Sequence, residues 1–340
     1  MNQQYYIEGG AEAALTKYFS KTKKQVDSEL SKYISTLSHL DLYPQIEYAV
    51  LSEGKRFRPL IVILSAESVG GKSSKAMRLA MAFELMHTST LVHDDVIDED
   101  DMRRGRLSLH KKWSINDAIL TGDSLIALSV ELASSYGEKI LKTVAQSALE
   151  LCEGEHMDLV GSLKVTTEEV YFKKIRNKSA SLCRAAAFCG ALAGGGTPSE
   201  AQALSKFGEN FGVAYQLRDD VLDFSANGTL NLEDSKNGRI TLPLINCYAT
   251  GSLPEKREIE KFLVLVNENP PKARDKANEI LQLVRAKGAF EYCENKIDQY
   301  LSRALTSISA LEETEYKAYL IEMAKTLRSW AGKYEKQSLG

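Results

Sequence analysis

The sequence of 340 residues predicts an all-α fold. Only 7 prolines occur, well below the ~5% that is usual in globular proteins, and residues 60–197 contain none of them. Apolar side chains recur mostly at three- and four-residue steps, as in residues 77–92, where they include Leu79, Phe83 and Met86. Alternating β-branched runs bounded by turn residues are few, so strands are not expected.

The same periodicity continues along the chain and is interrupted at four places. Helical patterns are predicted over 77–92, 125–141, 144–159 and 181–192. Breaks are predicted at 69–74, 194–200, 226–239 and 267–272. The third break is longer and more polar than the others, but none is a long linker rich in Pro and Ser. A single domain over 1–340 is therefore predicted.

Composition excludes several classes of protein. With 44% hydrophobic and 26% charged residues, the chain is neither disordered nor collagen-like. A net charge of −3 argues against a nucleic-acid partner. The five cysteines are scattered without a CxxC motif, as in reduced cytosolic proteins. The N-terminus lacks a signal-peptide pattern and no apolar run is long enough to span a bilayer, so a cytoplasmic protein without an integral membrane segment is expected.

Two aspartate-rich pentapeptides, 125 positions apart, are the main functional signal. They are Asp94-Asp95-Val96-Ile97-Asp98 and Asp219-Asp220-Val221-Leu222-Asp223. On a helix, residues three and four apart share a face, so the carboxylates of each motif converge and repel one another. A hard cation such as Mg²⁺ or Mn²⁺ removes this repulsion, and Mg²⁺ takes one or two carboxylates together with substrate phosphates. The pair of motifs therefore favours metal and diphosphate binding over solvated acidic faces.

Three basic clusters predict a second kind of phosphate site. They are Gly54-Lys55-Arg56-Phe57-Arg58-Pro59, Arg103-Arg104-Gly105 and Lys178-Ser179-Ala180-Ser181. Arginine binds phosphate with two parallel hydrogen bonds, and lysine supplies a point charge. Each cluster alone is typical of solvated surface. Together with the acidic motifs, they indicate phosphate bound directly by cations.

In combination, these motifs resemble those of the trans-type (E-) isoprenyl diphosphate synthases, the polyprenyl synthetase family. The resemblance covers about residues 48–328 and follows the family's order and spacing. Besides the acidic and basic motifs, it includes Glu84-Leu85-Met86-His87, His110, Gly122-Asp123, Tyr215-Gln216 and Gly238-Arg239-Ile240-Thr241-Leu242-Pro243.

The resemblance implies a helical bundle of the isoprenoid synthase type around a central apolar cavity, and a homodimer. It implies condensation of isopentenyl diphosphate with an allylic prenyl diphosphate, aided by about three Mg²⁺ ions held together with the substrate diphosphate. Carbocation chemistry of this kind requires that water be excluded.

The resemblance also assigns roles to individual residues. The diphosphate of isopentenyl diphosphate would be held by Lys55, Arg58, His87 and Arg104. Mg²⁺ would be bound by Asp94, Asp98 and Asp219, with support from Asp95, Asp220 and Asp223. The allylic diphosphate would be bound by Arg103, Lys178 and Arg239, and the reacting carbons would be lined by Ser179 and Gln216.

In this family, the residues just before the first acidic motif set the length of the product. Here those positions are Ser89 and Thr90, which are small and do not form an early stop. Met86, about one turn deeper, is a candidate for a later floor of the tunnel. The expected product is of geranylgeranyl length or longer.

Three other functions share some of these sequence features. A terpene cyclase shares the ionisation chemistry, but it carries a single aspartate-rich motif and needs no isopentenyl site. A non-catalytic subunit of a heteromeric synthase tends to lose aspartates, whereas this chain keeps all six. A helical scaffold with acidic faces leaves the paired motifs unexplained.

Overall fold

The structure, a computed structural model, describes residues 10–159, 166–225 and 240–331. Its helices, in chain order, are α1 (Ala11–Ser35), α2 (Tyr43–Val50), α3 (Phe57–Ser68), α4 (Ser73–Ile97), α5 (Leu109–Lys112), α6 (Ile115–Ser134), α7 (Glu138–Leu159), α8 (Glu168–Ile175), α9 (Ser181–Gly194), α10 (Pro198–Ser225), α11 (Leu242–Thr250), α12 (Leu253–Glu268), α13 (Pro270–Ala286), α14 (Ala289–Ser307) and α15 (Glu315–Ala331). The all-α prediction is confirmed.

Three of the four predicted breaks are found where the sequence places them. Turns separate α3 from α4, α9 from α10 and α12 from α13. The fourth break, 226–239, lies outside the described residues.

The described residues group into two compact units. The first contains 10–148, 182–208 and 307–323, and the second contains 149–159, 166–181, 209–225, 240–306 and 324–331. The single-domain interpretation of the sequence stays a prediction.

Helix α3 is enclosed by the first unit. All residues from Pro59 to Ala66 are buried, as expected for a helix that is apolar on every side. Helix α9 approaches it so closely that a Cβ atom at Gly190 would lie 2.3 Å from the carbonyl oxygen of Val62.

Helices α4 and α6 pack together in the same unit. Ser129 on α6 donates a hydrogen bond to the carbonyl of Ala82 on α4 (2.8 Å). A Cβ atom at Gly122 would lie only 2.1 Å from Nε2 of His93. The absence of a side chain at Gly122 thus leaves room for the ring of His93. Gly122 therefore has a packing role.

A π-turn over Arg176–Ala180 joins α8 to α9. In the second unit, α8 is anchored to α14 by the rings of Phe172 and Tyr300, whose centroids lie 5.4 Å apart. Glu168 adds an ion pair to Lys296 (2.5 Å) and accepts a hydrogen bond from Tyr292. These contacts hold the segment that leads into the π-turn.

The expectation of no strands needs one correction. Met102–Arg103 (β1) and Arg106–Leu107 (β2) form a short antiparallel ribbon. Arg104 and Gly105 connect them with φ values of 52° and 76°, and positive φ at both central residues is what a tight two-residue hairpin turn requires. The sequence does not show it because two residues per strand are too few for an alternating pattern.

Candidate active site

The first acidic motif ends α4. Asp94 and Asp98 are half-buried and lie one turn apart, and the Asp98 amide donates a hydrogen bond to the Asp94 carbonyl (2.8 Å). The C-terminal end of a helix carries partial negative charge, so carboxylates there are unfavourable unless cations approach. The position itself therefore favours cation binding.

Asp95 differs from its two neighbours in the motif. It is 3% exposed and accepts a hydrogen bond from Nε of Arg103 (2.6 Å), on β1. Burial raises the pKa of Asp95, although the arginine opposes the rise. Asp95 therefore holds the Arg103 side chain in place, and Arg103 also pairs with Asp100 (3.1 Å).

Three cations of the Gly54–Pro59 motif have different environments. Lys55 is exposed and Arg58 is half-buried, whereas Arg56 is 4% exposed. Arg56 has a φ of 50° and precedes α3. Its guanidinium group binds two carboxylates and two carbonyls, those of Asp27 (2.7 Å), Glu84 (2.6 Å), Val50 (2.9 Å) and Ser52 (3.0 Å). Arg56 is thus a structural residue.

His87 lies on α4 among arginines. Burial holds its pKa well below the ordinary value, and four guanidinium groups lower it further. In decreasing order of effect, they belong to Arg58, Arg104, Arg56 and Arg103. The imidazole is therefore neutral at pH 7 and can donate a hydrogen bond without adding charge.

Two buried nitrogen atoms of this group lack a hydrogen-bond partner among the described residues. They are Nε of Arg58 and Nδ1 of His87. Buried polar groups are rarely left unpaired, so these atoms indicate a place for a ligand. Arg104 lies nearby and donates to Oγ of Ser52 (3.3 Å). A Cβ atom at Gly54 would lie 2.7 Å from Nη1 of Arg104, so the glycine makes room for this side chain.

The second acidic motif lies in the last turns of α10, within the second unit. Asp219 is half-buried and accepts a hydrogen bond from Arg218 (2.6 Å). Asp220 is buried and accepts hydrogen bonds from the hydroxyl of Tyr171 and from Nε2 of Gln216 (2.8 Å). Burial raises the pKa of Asp220 to about 6, although both hydrogen bonds oppose the rise. The Asp223 side chain and Arg239 lie outside the described residues.

The π-turn carries two of the predicted site residues, Lys178 and Ser179. Ser179 donates to Oε1 of Gln216 (2.6 Å), so the structure brings together the two residues predicted to line the reacting carbons. The amide of Gln216 is fixed at both ends, by Ser179 and by Asp220. π-Turns are rare and occur frequently at functional sites.

Lys178 contacts residues to which the sequence analysis gave no role. Its ammonium group lies 2.7 Å from carboxylate oxygens of both Glu155 and Asp158 on α7, and Lys174 pairs with Asp158 as well. The carboxylates are three positions apart and the lysines four apart, so each pair shares a helix face. This matching of charge spacing was a signal available in the sequence.

The residues predicted to set product length lie on α4. Ser89 and Met86 are buried, and Thr90 is half-buried. The two hydroxyl groups donate to carbonyls three residues earlier, those of Met86 (2.7 Å) and His87 (2.8 Å).

The carboxylates of the two acidic motifs are the candidate metal ligands. No group of three or more His, Cys, Asp or Glu side chains in the described parts of the chain is arranged to hold a metal ion. Mg²⁺ does not need such a group, because one or two carboxylates suffice when substrate phosphate supplies the other oxygens. Asp94 with Asp98, and Asp219, are half-buried oxygen donors of this kind, so the donor set fits Mg²⁺.

No helix in the described residues has the length and apolar character that crossing a bilayer requires.

Comparison with known proteins agrees with the resemblance seen in the motifs. Residues 40–284 match the polyprenyl synthetase family. A geranylgeranyl diphosphate synthase of Methanosarcina mazei is 31% identical over 310 residues, covering 88% of this chain and 93% of that protein. The octaprenyl diphosphate synthase of Escherichia coli is 32% identical over 294 residues, covering 84% of this chain and 90% of that protein.

Solved structures give the same result. A polyprenyl synthase from Caulobacter crescentus, complexed with calcium and isoprenyl diphosphate, has a TM-score of 0.82 at 29% identity, over 93% of this chain and 96% of that chain. With the family match spanning most of its length, this chain belongs to the polyprenyl synthetase family and is a prenyl-transferring enzyme.

Proposed function

We propose that the enzyme is Mg²⁺-dependent and condenses isopentenyl diphosphate head to tail (1'-4) with an allylic diphosphate. The product would be an all-trans prenyl diphosphate of geranylgeranyl length or longer, and diphosphate would be released. The observation that carries the proposal is the pair of buried, unpartnered nitrogen atoms on Arg58 and His87, beside a cluster of arginine side chains. This group suits a diphosphate that stays intact during the reaction, which a chain-elongating enzyme needs and a terpene cyclase does not.

Each residue of the proposed isopentenyl diphosphate site has a distinct role. The guanidinium groups of Arg58 and Arg104 would bind the diphosphate oxygens with paired hydrogen bonds, and Lys55 would add an exposed positive charge. Neutral His87 would donate a further hydrogen bond. Arg56 is left out because it is already bound to protein oxygens.

The acidic motifs and the remaining cations would serve the allylic diphosphate. Asp94, Asp98 and Asp219 would ligate Mg²⁺, about three ions in all, with Asp95, Asp220 and Asp223 in support. When bound, the metal would stabilise negative charge on the leaving diphosphate. Arg103, Lys178 and Arg239 would bind the same diphosphate directly.

The reaction separates charge and then forms a carbon–carbon bond. The allylic C–O bond breaks and its electron pair leaves with the diphosphate. The double bond of isopentenyl diphosphate attacks the carbocation, and the released diphosphate accepts the proton that is lost. The oxygens of Ser179 and Gln216, held together at 2.6 Å, would stabilise the cation.

The small residues before the first acidic motif support a long product. Ser89 and Thr90 leave space on α4, and Met86 would form the floor one turn deeper. Two relatives of comparable identity are named for geranylgeranyl and octaprenyl products, and both lengths are compatible with the proposal.

We further propose a homodimer in the cytoplasm. Apolar side chains on α6, among them Ile115, Ile119 and Leu120, are exposed and would be covered by a second copy. All five cysteines are free, which suits a reducing compartment.

A product-length assay tests the function. Purified protein is incubated with Mg²⁺, isopentenyl diphosphate and, separately, dimethylallyl, geranyl, farnesyl or geranylgeranyl diphosphate. The products are then dephosphorylated and separated by length. We expect elongation that ends at geranylgeranyl or beyond. Hydrocarbon or free alcohol without elongation would support a cyclase instead, and no reaction would indicate a missing partner subunit.

The metal assignment is tested by mutation. Asp94→Ala and Asp219→Ala should each abolish most turnover because each removes a proposed Mg²⁺ ligand. Chelation of Mg²⁺ should do the same, reversibly. Asp101→Ala is the matched control, since Asp101 is an exposed aspartate near the first motif and pairs with Lys111 (2.8 Å). Near wild-type turnover in either Asp94→Ala or Asp219→Ala would contradict the assignment.

A further inference from the structure

Four charged side chains of the second unit form an ion-pair cluster beside the π-turn. Asp158 accepts a hydrogen bond on each carboxylate oxygen, from Lys174 Nζ at Oδ1 and from Lys178 Nζ at Oδ2, both at 2.7 Å. Glu155, one turn earlier on α7, places Oε2 2.7 Å from the same Lys178 Nζ, outside hydrogen-bond angles. The charges therefore alternate in sign from Lys174 through Asp158 and Lys178 to Glu155.

The cluster is largely shielded from water. The exposed fractions of the side chains are 8% for Asp158, 10% for Glu155, 13% for Lys174 and 21% for Lys178. Burial would raise the pKa of Asp158, yet the ammonium groups of Lys174 and Lys178 outweigh it and hold that pKa at about 2. The carboxylate is thus ionised at neutral pH, and the interactions among these charges are stronger than they would be in bulk water.

The balance of charge decides how well Lys178 can attract an anion. Facing Glu155 and Asp158 alone, the one ammonium group of Lys178 would meet two carboxylates, and the buried carboxylate of Asp220 adds negative charge close to Asp158. A diphosphate would then be repelled. Lys174 supplies a second positive charge, which acts on Asp158, the carboxylate that it shares with Lys178, and also on the buried carboxylate of Asp220.

We propose that Lys174 is a positioning residue for the allylic diphosphate: by pairing with Asp158, it keeps the positive charge of Lys178 effective toward that anion. The proposal rests on the function proposed above for Lys178. In this role Lys174 acts through Asp158 and Lys178 and does not itself contact the diphosphate.

The test is the variant Lys174→Met, which keeps much of the side-chain length and removes the charge. We expect the KM for the allylic diphosphate to rise about tenfold, because one enclosed positive charge is lost within a few ångströms of Lys178. The KM for isopentenyl diphosphate and kcat should stay within about twofold of wild type. Calorimetric titration with inorganic diphosphate and Mg²⁺ should show weaker binding by a similar factor.

Three further variants separate charge from packing. Lys174→Arg keeps the charge and should retain a near wild-type KM. The double variant Glu155→Gln with Lys174→Met removes one charge of each sign, so its KM for the allylic diphosphate should return to within about twofold of wild type. Lys173→Met is the matched control, since Lys173 is the exposed neighbour of Lys174 on α8. It should change neither KM.

Three results would overturn the proposal. Lys174→Met could leave the KM for the allylic diphosphate unchanged, or Lys173→Met could raise that KM equally. The double variant Glu155→Gln with Lys174→Met could also fail to restore the wild-type KM. Failure of the proposed function looks different. In that case the wild-type protein transfers no prenyl group from any primer, and the calorimetric comparison of diphosphate binding still decides whether Lys174 supports an anion site.

Discussion

The imidazole of His87 is enclosed beside four guanidinium groups, and this environment favours its neutral form. The groups that face it come from the start of α3, namely Arg56 and Arg58, and from the β1–β2 ribbon, namely Arg103 and Arg104. In the unfolded chain, histidine has a pKa of about 6.5. Below that pH the unfolded state takes up a proton that the folded state does not, so the folded state loses stability as the pH falls.

Replacing His87 should therefore flatten the pH dependence of stability. In wild type, the titration of this ring should lower the free energy of unfolding by up to about 1.4 kcal/mol per pH unit between pH 6.5 and 5. His87→Gln should remove this slope, measured by urea unfolding at each pH. The exposed His39 provides the control His39→Gln, which should keep the wild-type slope. An unchanged slope in His87→Gln would contradict this. It would mean that the imidazole takes up its proton over the same pH range in the folded and the unfolded protein.

The three cations of the Gly54–Pro59 motif show how far the role of a single residue can be predicted from the sequence. Lys55, Arg56 and Arg58 form one basic cluster in the sequence, and the resemblance selects the first and third for substrate. In the structure, Arg56 differs from the other two because it forms ion pairs with Asp27 and Glu84. These partners lie on other helices, and pairing across such distances in the chain leaves no local pattern to find.

At the scale of elements, the segment around the π-turn positions Lys178 and Ser179. Helix α7 meets it at Gly154, where a Cβ atom would lie 2.3 Å from the backbone nitrogen of Lys178 and 2.7 Å from its Cα. Only the hydrogen atom of a glycine, and not a Cβ atom, fits between the two backbones at this position. The glycine therefore fixes how closely α7, which carries Glu155 and Asp158, approaches Lys178.

Gly154→Ala should displace Lys178 from its partners. We expect a loss of about 1–3 kcal/mol in stability from the steric conflict, together with a rise in the KM for the allylic diphosphate. Gly190→Ala makes an equally tight contact, 2.3 Å from the Val62 carbonyl in the first unit, and should lose similar stability. Steady-state kinetics with both substrates distinguish the two. A rise in allylic KM for both variants would show that general loosening is the cause.

The π-turn itself was beyond sequence reasoning. The helical period predicted for 181–192 gives no sign that the preceding residues, 176–180, widen to a π-turn. One additional residue per turn changes the direction of side chains without breaking the apolar pattern. The turn contacts α7 at Gly154 and α14 through Arg176, which donates a hydrogen bond to the hydroxyl of Tyr300 (3.0 Å). Tertiary contacts of this kind leave no local pattern in the sequence.

For the molecule as a whole, periodicity and proline content were sufficient to predict the fold class. Helices such as α3 and α4 are long and bury a large apolar surface, so their signal is strong in sequence. The acidic motifs, which the sequence analysis treated as helical, lie at the C-terminal ends of α4 and α10. Which carboxylates in each motif are buried and paired, as in Asp95 and Asp220, depends on Arg103 and Tyr171 and was not predictable from the motifs.

The exposed side of α6 carries an apolar stripe that a monomer would leave in water. Ile115, Ile119 and Val130 are 55%, 43% and 37% exposed, and at 100° per residue they fall within about 60° of one another around the helix. One charged side chain, Asp123, lies on the same side of α6 and is 63% exposed, so the apolar stripe is interrupted there. A second copy of the chain is the proposed cover, because most soluble oligomers are symmetric homodimers with self-complementary surfaces.

Sedimentation equilibrium at micromolar concentration should therefore give twice the chain mass of 37.7 kDa. Ile119→Asp places a charge in the stripe, and burying it unpaired should shift the protein toward monomer. Leu253→Asp is the matched control, because Leu253 is 73% exposed at the start of α12, away from the stripe. A wild-type monomer would contradict the homodimer, and equal dissociation of both variants would show that α6 is not the interface.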